Sequence, residues 1–220
     1  MNCVVTAGPT YEPLDEVRRL TNFSTGRLGS ELVNFLTDRG HAVTLLIGQQ
    51  ATFRGERRAS KVETFTTTSD LHRRLHVLSN GRVDALFHAA AVSDFAFGKV
   101  WQRSGRGDLK AIKSGKISTR AGTLLVELVP TAKIISDLRE WFPLACLVGW
   151  KYEVEGDRAS VIALAQKQIV ENQTNACAAN VPAYGDGFGL VSAGKCEHLK
   201  TAEALFEALE GLMRDVKRAM

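Results

Sequence analysis

The stretch N-C-V-V-T-A-G-P-T (residues 2–10) and the residues that follow it decide the fold. Residues 2–6 are short, apolar and rich in β-branched side chains, which is typical of a buried strand, and Ala-Gly-Pro-Thr then marks a tight turn. After a polar connection, S-T-G-R-L-G (residues 24–29) leads into apolar residues at helical spacing, which continue until Gly40. The chain is therefore predicted to begin with a strand, a loop and a helix.

The same alternation continues along the chain. Further strands are predicted over residues 42–47, 85–92, 124–129, 145–149 and 176–179, and further helices over 69–78, 131–141, 159–171 and 201–213. Strands that alternate with helices of this length predict a Rossmann-like, doubly wound α/β fold in one domain over residues 1–220, with a mostly parallel sheet covered on both faces. Ligands of such sheets bind beyond the carboxyl ends of the strands. The loops concerned follow Thr6, Ile47, Val92 and Gly149.

Composition narrows the class of protein. Hydrophobic residues make up 45% of the chain and charged residues 24%, which is usual for a globular protein. The longest apolar stretches, such as residues 144–150, are far shorter than the roughly 20 residues that span a bilayer, and Met1 leads directly into a strand. The cysteines form no C-x-x-C pair, which favours reduced core thiols. They are Cys3, Cys146, Cys177 and Cys196. We therefore expect a cytoplasmic protein that binds no membrane.

The distribution of charge is more informative than the net charge of +4, which is too weak to indicate nucleic acid. From Gly98 to Arg120 there are four glycines and one acid, Asp108. The same segment holds seven basic residues: Lys99, Arg103, Arg106, Lys110, Lys113, Lys116 and Arg120. This composition predicts a mobile basic flap that grips phosphate groups, with no nucleic-acid partner.

Two observations bear on nucleotide binding. Gly26 and Gly29 lie at the start of the first helix, where unpaired N–H groups and the helix dipole favour an anion. The alternative is that both glycines only let this helix pack closely on the sheet. NAD-binding proteins usually carry an acid at the end of the second strand, and here that position reads L-I-G-Q (residues 46–49). An NAD(P)-binding oxidoreductase or epimerase is therefore a less favoured alternative.

The stretch T-A-G-P-T-Y-E-P-L-D-E-V-R-R-L-T-N-F-S-T-G-R-L-G (residues 6–29) closely resembles the opening motif of the phosphopantothenoylcysteine synthetase family. The resemblance covers nearly the whole chain. It continues at A-A-A-V-S-D-F (89–95), G-K-I-S (115–118), V-P-T-A-K-I (129–134), V-G-W (148–150) and A-A-N (178–180). It implies a two-step ligation, in which the carboxylate of 4'-phosphopantothenate attacks the α-phosphate of CTP, or of ATP as in eukaryotic relatives, and the amine of L-cysteine then displaces the nucleotide. Mg²⁺ is expected with the triphosphate.

The family also implies partners. In many bacteria this unit is half of a bifunctional protein whose other half is a flavin-dependent decarboxylase. We find no such half in the sequence, so no bound flavin is expected and a separate decarboxylase could be a partner. The family works as a homodimer in which the basic flap helps to complete the neighbouring site, and the strand predicted over residues 124–129 could supply the pairing edge.

The resemblance assigns roles to individual residues. Asn22 would hold the carbonyl of the acyl intermediate, and Arg18 would meet the carboxylate or phosphate of the substrate. Lys116 would reach the triphosphate, with Lys113 as a competing candidate. The substrate-binding turn would be formed by Ser24, Thr25 and Gly26. Nucleotide contacts are implied for Gly8, Ala90, Ala91, Asp94, Lys116, Trp150 and Lys167. A turn asparagine, an exposed arginine, a capping aspartate and solvated lysines are the simpler alternatives.

The chain departs from the bacterial pattern at several positions. Ser118 and Thr119 stand where further lysines are common, and Trp150 stands where phenylalanine is usual. Glu171 occupies a position where a second nucleotide-contacting lysine is expected. These departures leave the choice between CTP and ATP open. They also keep a non-catalytic nucleotide-binding relative as a second alternative.

Overall fold

The computed structural model describes residues 1–112, 115–118, 122–180 and 182–219. Within these ranges the helices are α1 (Arg27–Asp38), α2 (Thr68–Leu78), α3 (Ile134–Trp141), α4 (Arg158–Asn172) and α5 (Ala202–Arg218). The strands are β1 (Asn2–Ala7), β2 (Tyr11–Pro13), β3 (Arg19–Thr21), β4 (Ala42–Gly48), β5 (Lys61–Phe65), β6 (Ala85–His88), β7 (Phe95–Arg103), β8 (Leu109–Ile112), β9 (Thr123–Pro130), β10 (Cys146–Tyr152), β11 (Ala176–Asn180), β12 (Phe188–Ser192) and β13 (Lys195–Leu199).

The main sheet has the strand order β13-β12-β11-β10-β6-β1-β4-β5. The pairs β1–β4, β4–β5, β1–β6, β6–β10 and β10–β11 are parallel. The pairs β11–β12 and β12–β13, at one edge of the sheet, are antiparallel. The six parallel strands follow the Rossmann order, with β1 at the centre and successive strands added on both sides. This confirms the predicted mostly parallel, Rossmann-like sheet.

Both faces of the sheet are covered because side chains alternate along each buried strand. Val5 and Phe87 belong to a core that packs under α1 and α5. Val4 and Leu86 belong to a second core, under α2 and α3, while α4 packs on the same side against Cys177. Each fully buried side chain of this size stabilises the fold by about 1.5–3 kcal/mol, so the two cores hold the strand ends in fixed positions.

Four boundaries differ from the prediction by three residues or more, and one of them is the end of β10, which lies at Tyr152 and not at Gly149. β6 ends at His88 and not at Val92, because the backbone beyond it bonds to the loop after β1. α3 begins at Ile134 and not at Thr131, because the Thr131 hydroxyl donates to Ser93 O. The last helix extends to Arg218, past the predicted end at Met213. Strands β2, β3, β5, β7, β8, β12 and β13 were not predicted.

The prediction of a loop is wrong for part of residues 98–120, because residues 98–103 and 109–112 lie on strands. β7 pairs antiparallel with β8 and with β9, and these three strands form a small sheet of their own, which we call the flap sheet. Lys99, Arg103 and Lys110 therefore lie on strands. The glycines and charges obscured the strands because both faces of this sheet are largely exposed and show no clear alternation. Lys113, Thr119 and Arg120 lie outside the described residues.

The expectation of core thiols is confirmed for Cys3, Cys146 and Cys177 and is wrong for Cys196. Cys3, Cys146 and Cys177 are buried free thiols, and burial raises the pKa of each to about 12, while Cys196 is free and exposed. In the part of the chain that the structure describes, the helices are too short or too polar to cross a membrane.

Gly48 allows the end of β4 to approach the loop after β1. A Cβ on Gly48 would lie 2.2 Å from Pro9 O and 3.0 Å from Pro9 N, and both of these are backbone atoms. We expect Gly48→Ala to lower the free energy of unfolding by about 1–3 kcal/mol, because the loop must move to admit the methyl group. Urea unfolding followed by circular dichroism measures this.

Gly211→Ala in α5 is the matched control. Nothing lies within 4 Å of an added Cβ there, and alanine is favoured over glycine inside a helix by about 1 kcal/mol. The control should therefore be at least as stable as the wild type. Equal stability of Gly48→Ala and the wild type would contradict the close approach.

Candidate active site

The loops after β1 and β6 are joined by backbone hydrogen bonds. Ala91 N donates to Gly8 O at 3.0 Å, and Thr10 N donates to Ala91 O at 3.1 Å. Ser93 N donates to the buried Thr10 hydroxyl at 2.8 Å. Because strand order reverses between β1 and β6, this junction lies at the topological switch point, where sheets of this kind bind ligands.

Asn22 lies at this junction. Its Nδ2 donates to Ala91 O at 3.2 Å and more weakly to Val92 O at 3.4 Å. The preceding residue, Thr21, donates its hydroxyl to Thr10 O at 2.9 Å. Asn22 is exposed to solvent, so its amide is held in place and is also accessible to a ligand.

The start of α1 packs against the turn after β1. Gly26 is the N-cap with φ +76°, and the Thr25 hydroxyl accepts a weak hydrogen bond from Arg27 N at 3.3 Å. An added Cβ on Gly26 would lie 3.3 Å from Gly8 Cα, and one on Gly29 would lie 2.5 Å from Ala7 Cβ. Both glycines therefore allow α1 to pack closely on the sheet. Ser24 and Thr25 directly precede this helix N-terminus, an arrangement that is also suited to an anion.

Arg18 is bound within the chain. Its Nη2 donates to Asp15 Oδ2 and, at 2.7 Å, to Ile117 O, while Ile117 N donates to Asp15 Oδ2 at 3.1 Å. Glu16 N donates to Gly115 O at 2.9 Å. Arg18 therefore anchors residues 115–118, the segment that carries Lys116. The Arg18 side chain is still 40% exposed, so its predicted contact with the substrate stays a prediction beside this positioning role.

A cleft of about 390 Å³ opens beyond β6 and β10, between α3 and α4. Ala90, Asp94, Trp150 and Lys167, four of the predicted nucleotide-binding residues, line it. Asp94 is exposed, and its carboxylate makes no hydrogen bond or ion pair with any described residue, so capping of the following turn is not observed. Within the described ranges, no group of three or more His, Cys, Asp or Glu side chains is placed to hold a metal ion.

The predicted residues that line the cleft have different surroundings. Part of Trp150 packs on the core under α1 and α5, and its indole N–H is buried without a partner among the described residues. Lys167 Nζ lies 3.7 Å from Glu171 Oε1, so the departure at Glu171 partly neutralises this lysine. Lys133 also lines the cleft and forms no ion pair with a described residue. Lys133 was assigned no role from the sequence, although this residue belongs to the motif at residues 129–134.

His88 is a further cleft residue that the sequence analysis missed. It is the last residue of β6 and only 7% exposed, and its Nδ1 lies 2.9 Å from the Thr6 hydroxyl. Burial lowers the pKa of His88 to about 4, so the imidazole is neutral at pH 7. The available signal was a polar residue at the end of an apolar strand, directly before A-A-A-V-S-D.

We expect Asp15→Asn to loosen residues 115–118. The Arg18 guanidinium holds the pKa of Asp15 well below its usual range, assisted by backbone N–H donors. A carboxyl group with a depressed folded-state pKa contributes stability above its unfolded pKa, about 3.9, and loses it as pH falls through the lower folded value. The anchor should thus be complete from pH 7 down to about pH 4, and at pH 7 the Ile117 amide should exchange hydrogen severalfold faster in Asp15→Asn.

Asp108→Asn is the control for the change of charge. Asp108 is exposed in the turn between β7 and β8, where it bonds to Ser104. Exchange at Ile117 should be unaffected in this variant. The same exchange rate in Asp15→Asn and wild type would contradict the anchoring role.

Comparison with known proteins places the chain in a family. Two curated relatives are each named coenzyme A biosynthesis bifunctional protein CoaBC. The Thermococcus kodakarensis protein is 33% identical over 177 residues, which are 80% of this chain and 40% of that protein. The Bacillus subtilis protein is 30% identical over 188 residues, which are 84% of this chain and 42% of that protein. The chain thus spans about two fifths of the length of these relatives.

Solved structures share the whole fold. The DNA/pantothenate metabolism flavoprotein from Streptococcus pneumoniae superposes with a TM-score of 0.82 at 26% identity, with complete coverage of both chains. A Cab2 mutant in complex with phosphopantothenate-cysteine has a TM-score of 0.77 at 18% identity, covering 99% of this chain and 88% of that one, and shows likeness of fold alone. The family described as the DNA/pantothenate metabolism flavoprotein C-terminal domain matches residues 1–194. With 194 of its 220 residues matched, this chain belongs to that family.

Proposed function

We propose that this chain is a phosphopantothenate–cysteine ligase of coenzyme A synthesis. The observation that carries the proposal is the arrangement at the switch point, where residues 89–94 border the cleft at Asp94 and hold Asn22 at Ala91. One segment thus connects the predicted nucleotide site with the predicted acyl site. The two CoaBC relatives, named for coenzyme A biosynthesis, support the same assignment.

In the first step, a carboxylate oxygen of 4'-phosphopantothenate attacks the α-phosphate of CTP or ATP, and pyrophosphate leaves. Negative charge grows on the phosphoryl oxygens, and fixed cations stabilise it. Lys116, on the anchored segment 115–118, supplies one cation, and Lys133 in the cleft supplies another. Mg²⁺ bound to the triphosphate would neutralise part of the phosphate charge.

In the second step, the amine of L-cysteine attacks the acyl carbon, loses a proton and displaces the nucleoside monophosphate. The acyl oxygen carries negative charge in the transition state. Asn22 Nδ2 donates to that oxygen, exchanging its long bond to Val92 O for the stronger one to the oxyanion. The remaining bond to Ala91 O keeps the amide in place.

A homodimer is part of the proposal. In the flap sheet β9 is an edge strand, and Leu128 on it is 49% exposed. Phe23, between β3 and α1, is fully exposed beside the junction. Exposed apolar side chains and an open strand edge are typical of a surface that a second chain covers. A separate flavin-dependent decarboxylase as partner and a cytoplasmic location stay predictions.

The oxidoreductase alternative has less support. The residues at the end of β4 carry no acid for ribose hydroxyl groups, and Gly48 there packs against the Pro9 backbone. The ion pair between Lys167 and Glu171 favours the non-catalytic alternative, because it reduces the charge available to phosphate. The assay below decides between a ligase and a binding protein.

The deciding measurement is pyrophosphate release by the purified protein with 4'-phosphopantothenate, Mg²⁺ and either CTP or ATP, with and without L-cysteine. We expect release that depends on phosphopantothenate, and an amide product only when cysteine is present. Absence of release with both triphosphates would overturn the ligase assignment.

Asn22→Asp should separate the two steps. Aspartate has the same shape but cannot donate an N–H, so amide formation should slow by about 10²–10³-fold, as for loss of an oxyanion donor, while an acyl nucleotide accumulates. Rapid quench and chromatography of the nucleotides measure both. Lys116→Gln is the contrasting variant, because it should suppress pyrophosphate release itself. Normal ligation by Asn22→Asp would remove Asn22 from the mechanism.

A further inference from the structure

The hydrogen bonds around Thr6 fix the tautomer of His88. The Thr6 hydroxyl accepts a hydrogen bond from Ala90 N at 3.1 Å and lies 2.9 Å from His88 Nδ1. Thr6 is fully buried, and the described residues offer its hydrogen no other acceptor. A buried hydroxyl donates when an acceptor is in reach, so Thr6 donates to Nδ1. The ring proton of neutral His88 is therefore on Nε2, which makes Nε2 a donor.

The amide of Gln168 lies over Gly149, and Gln168 lines the cleft as His88 does. Its Nε2 is 2.1 Å from the place where a Cβ of Gly149 would be, so it fills the space that this glycine leaves open. Gly149 on β10 is the register partner of His88 on β6, and paired strands are about 4.8 Å apart. Gln168 Nε2 is buried and has no hydrogen-bond partner among the described residues.

Two uncharged donors thus lie at neighbouring positions of β6 and β10, and both residues line the cleft. The cations that line the cleft, among them Lys133 and Lys167, come from the loop before α3 and from α4. Phosphate groups are bound best by such cations. A buried donor pair without charge instead suits neutral acceptors, such as the ring nitrogens and carbonyl oxygens of a nucleobase.

We propose that His88 is a specificity-determining residue which, together with Gln168, selects cytosine over adenine in this cleft. Cytosine carries two neighbouring acceptors, O2 and N3, which match two neighbouring donors. On adenine, N1 and N7 each lie next to the N6 amino group, a donor that would face a donor of the protein. This inference deepens the proposed function and rests on it in one respect, that the cleft binds a nucleoside triphosphate.

The test is equilibrium binding of CTP and of ATP, each with Mg²⁺, by isothermal titration calorimetry without phosphopantothenate or cysteine. We expect the wild type to bind CTP at least about tenfold more tightly than ATP. In His88→Leu the affinity for CTP should fall about tenfold and the affinity for ATP less than about twofold, which removes the preference. His88→Gln, which can keep an N–H near the position of Nε2, should retain part of it.

His76→Leu is the matched control, because His76 is exposed on α2 and packs against Trp141 outside the cleft. It should leave the ratio of the two affinities unchanged. Where thermal melting shows that His88→Leu does not fold, Gln168→Leu takes its place and should lower the preference for CTP in the same way. A wild type that prefers ATP, or a folded His88→Leu or Gln168→Leu with an unchanged ratio, would overturn the proposal.

The two proposals fail in different measurements. In one outcome, the protein binds CTP in preference to ATP through His88 and yet releases no pyrophosphate. That result would support the role of His88 and Gln168 in base selection and reject the ligase. Pyrophosphate release with a ratio of affinities that is insensitive to His88 would support the ligase and reject the pair.

Discussion

The hydrogen bonds between the loops after β1 and β6 are the constraint on which the rest of the site depends. Ala91 donates to Gly8 and accepts from both Thr10 and Asn22. The far end of the same loop is fixed where Thr131 donates to Ser93 and Asp94. A single short segment therefore sets the position of Asn22 on one side and of Asp94 on the other. A ligase that passes an acyl group from nucleotide to amine needs these two places at a constant separation.

The surroundings of this junction show why the chain uses small residues there. A Cβ on Gly26 would lie 3.3 Å from Gly8 Cα, and one on Gly48 would lie 2.2 Å from Pro9 O. Side chains at these positions would separate β1, β4 and α1 at their common end. The apolar cores on the two faces are rigid, so the strain would reach the loop that holds Asn22. Precision at the site thus follows from close packing of backbone as much as from the polar residues themselves.

The sequence predicts the parallel sheet well because its strands are buried on both faces and appear as apolar runs, such as residues 2–6 and 85–88. It predicts the flap sheet poorly because β7 and β8 are exposed and contain glycine and basic residues, which are equally typical of a loop. The motif residues Asn22 and Asp94 both lie at the switch point, and the roles that the resemblance implies for them stay predictions. The contact of Arg18 with Ile117 O could not be predicted, because only the fold brings these two residues together. Its other partner, Asp15, is close to it in sequence.

His88 shows how a strand end can acquire a chemical role that no motif encodes. Its ring is buried beside Thr6, and that burial makes protonation unfavourable, so the residue adds a hydrogen-bond donor without adding charge. A lysine or a protonated histidine at the same place would attract phosphate to the floor of the cleft and compete with the cations at its rim. On our proposals, neutral donors at the floor and lysines at the rim orient the nucleotide in one direction, with the base inward. The α-phosphate is then left near the junction, where the loop that holds Asn22 can receive the acyl group.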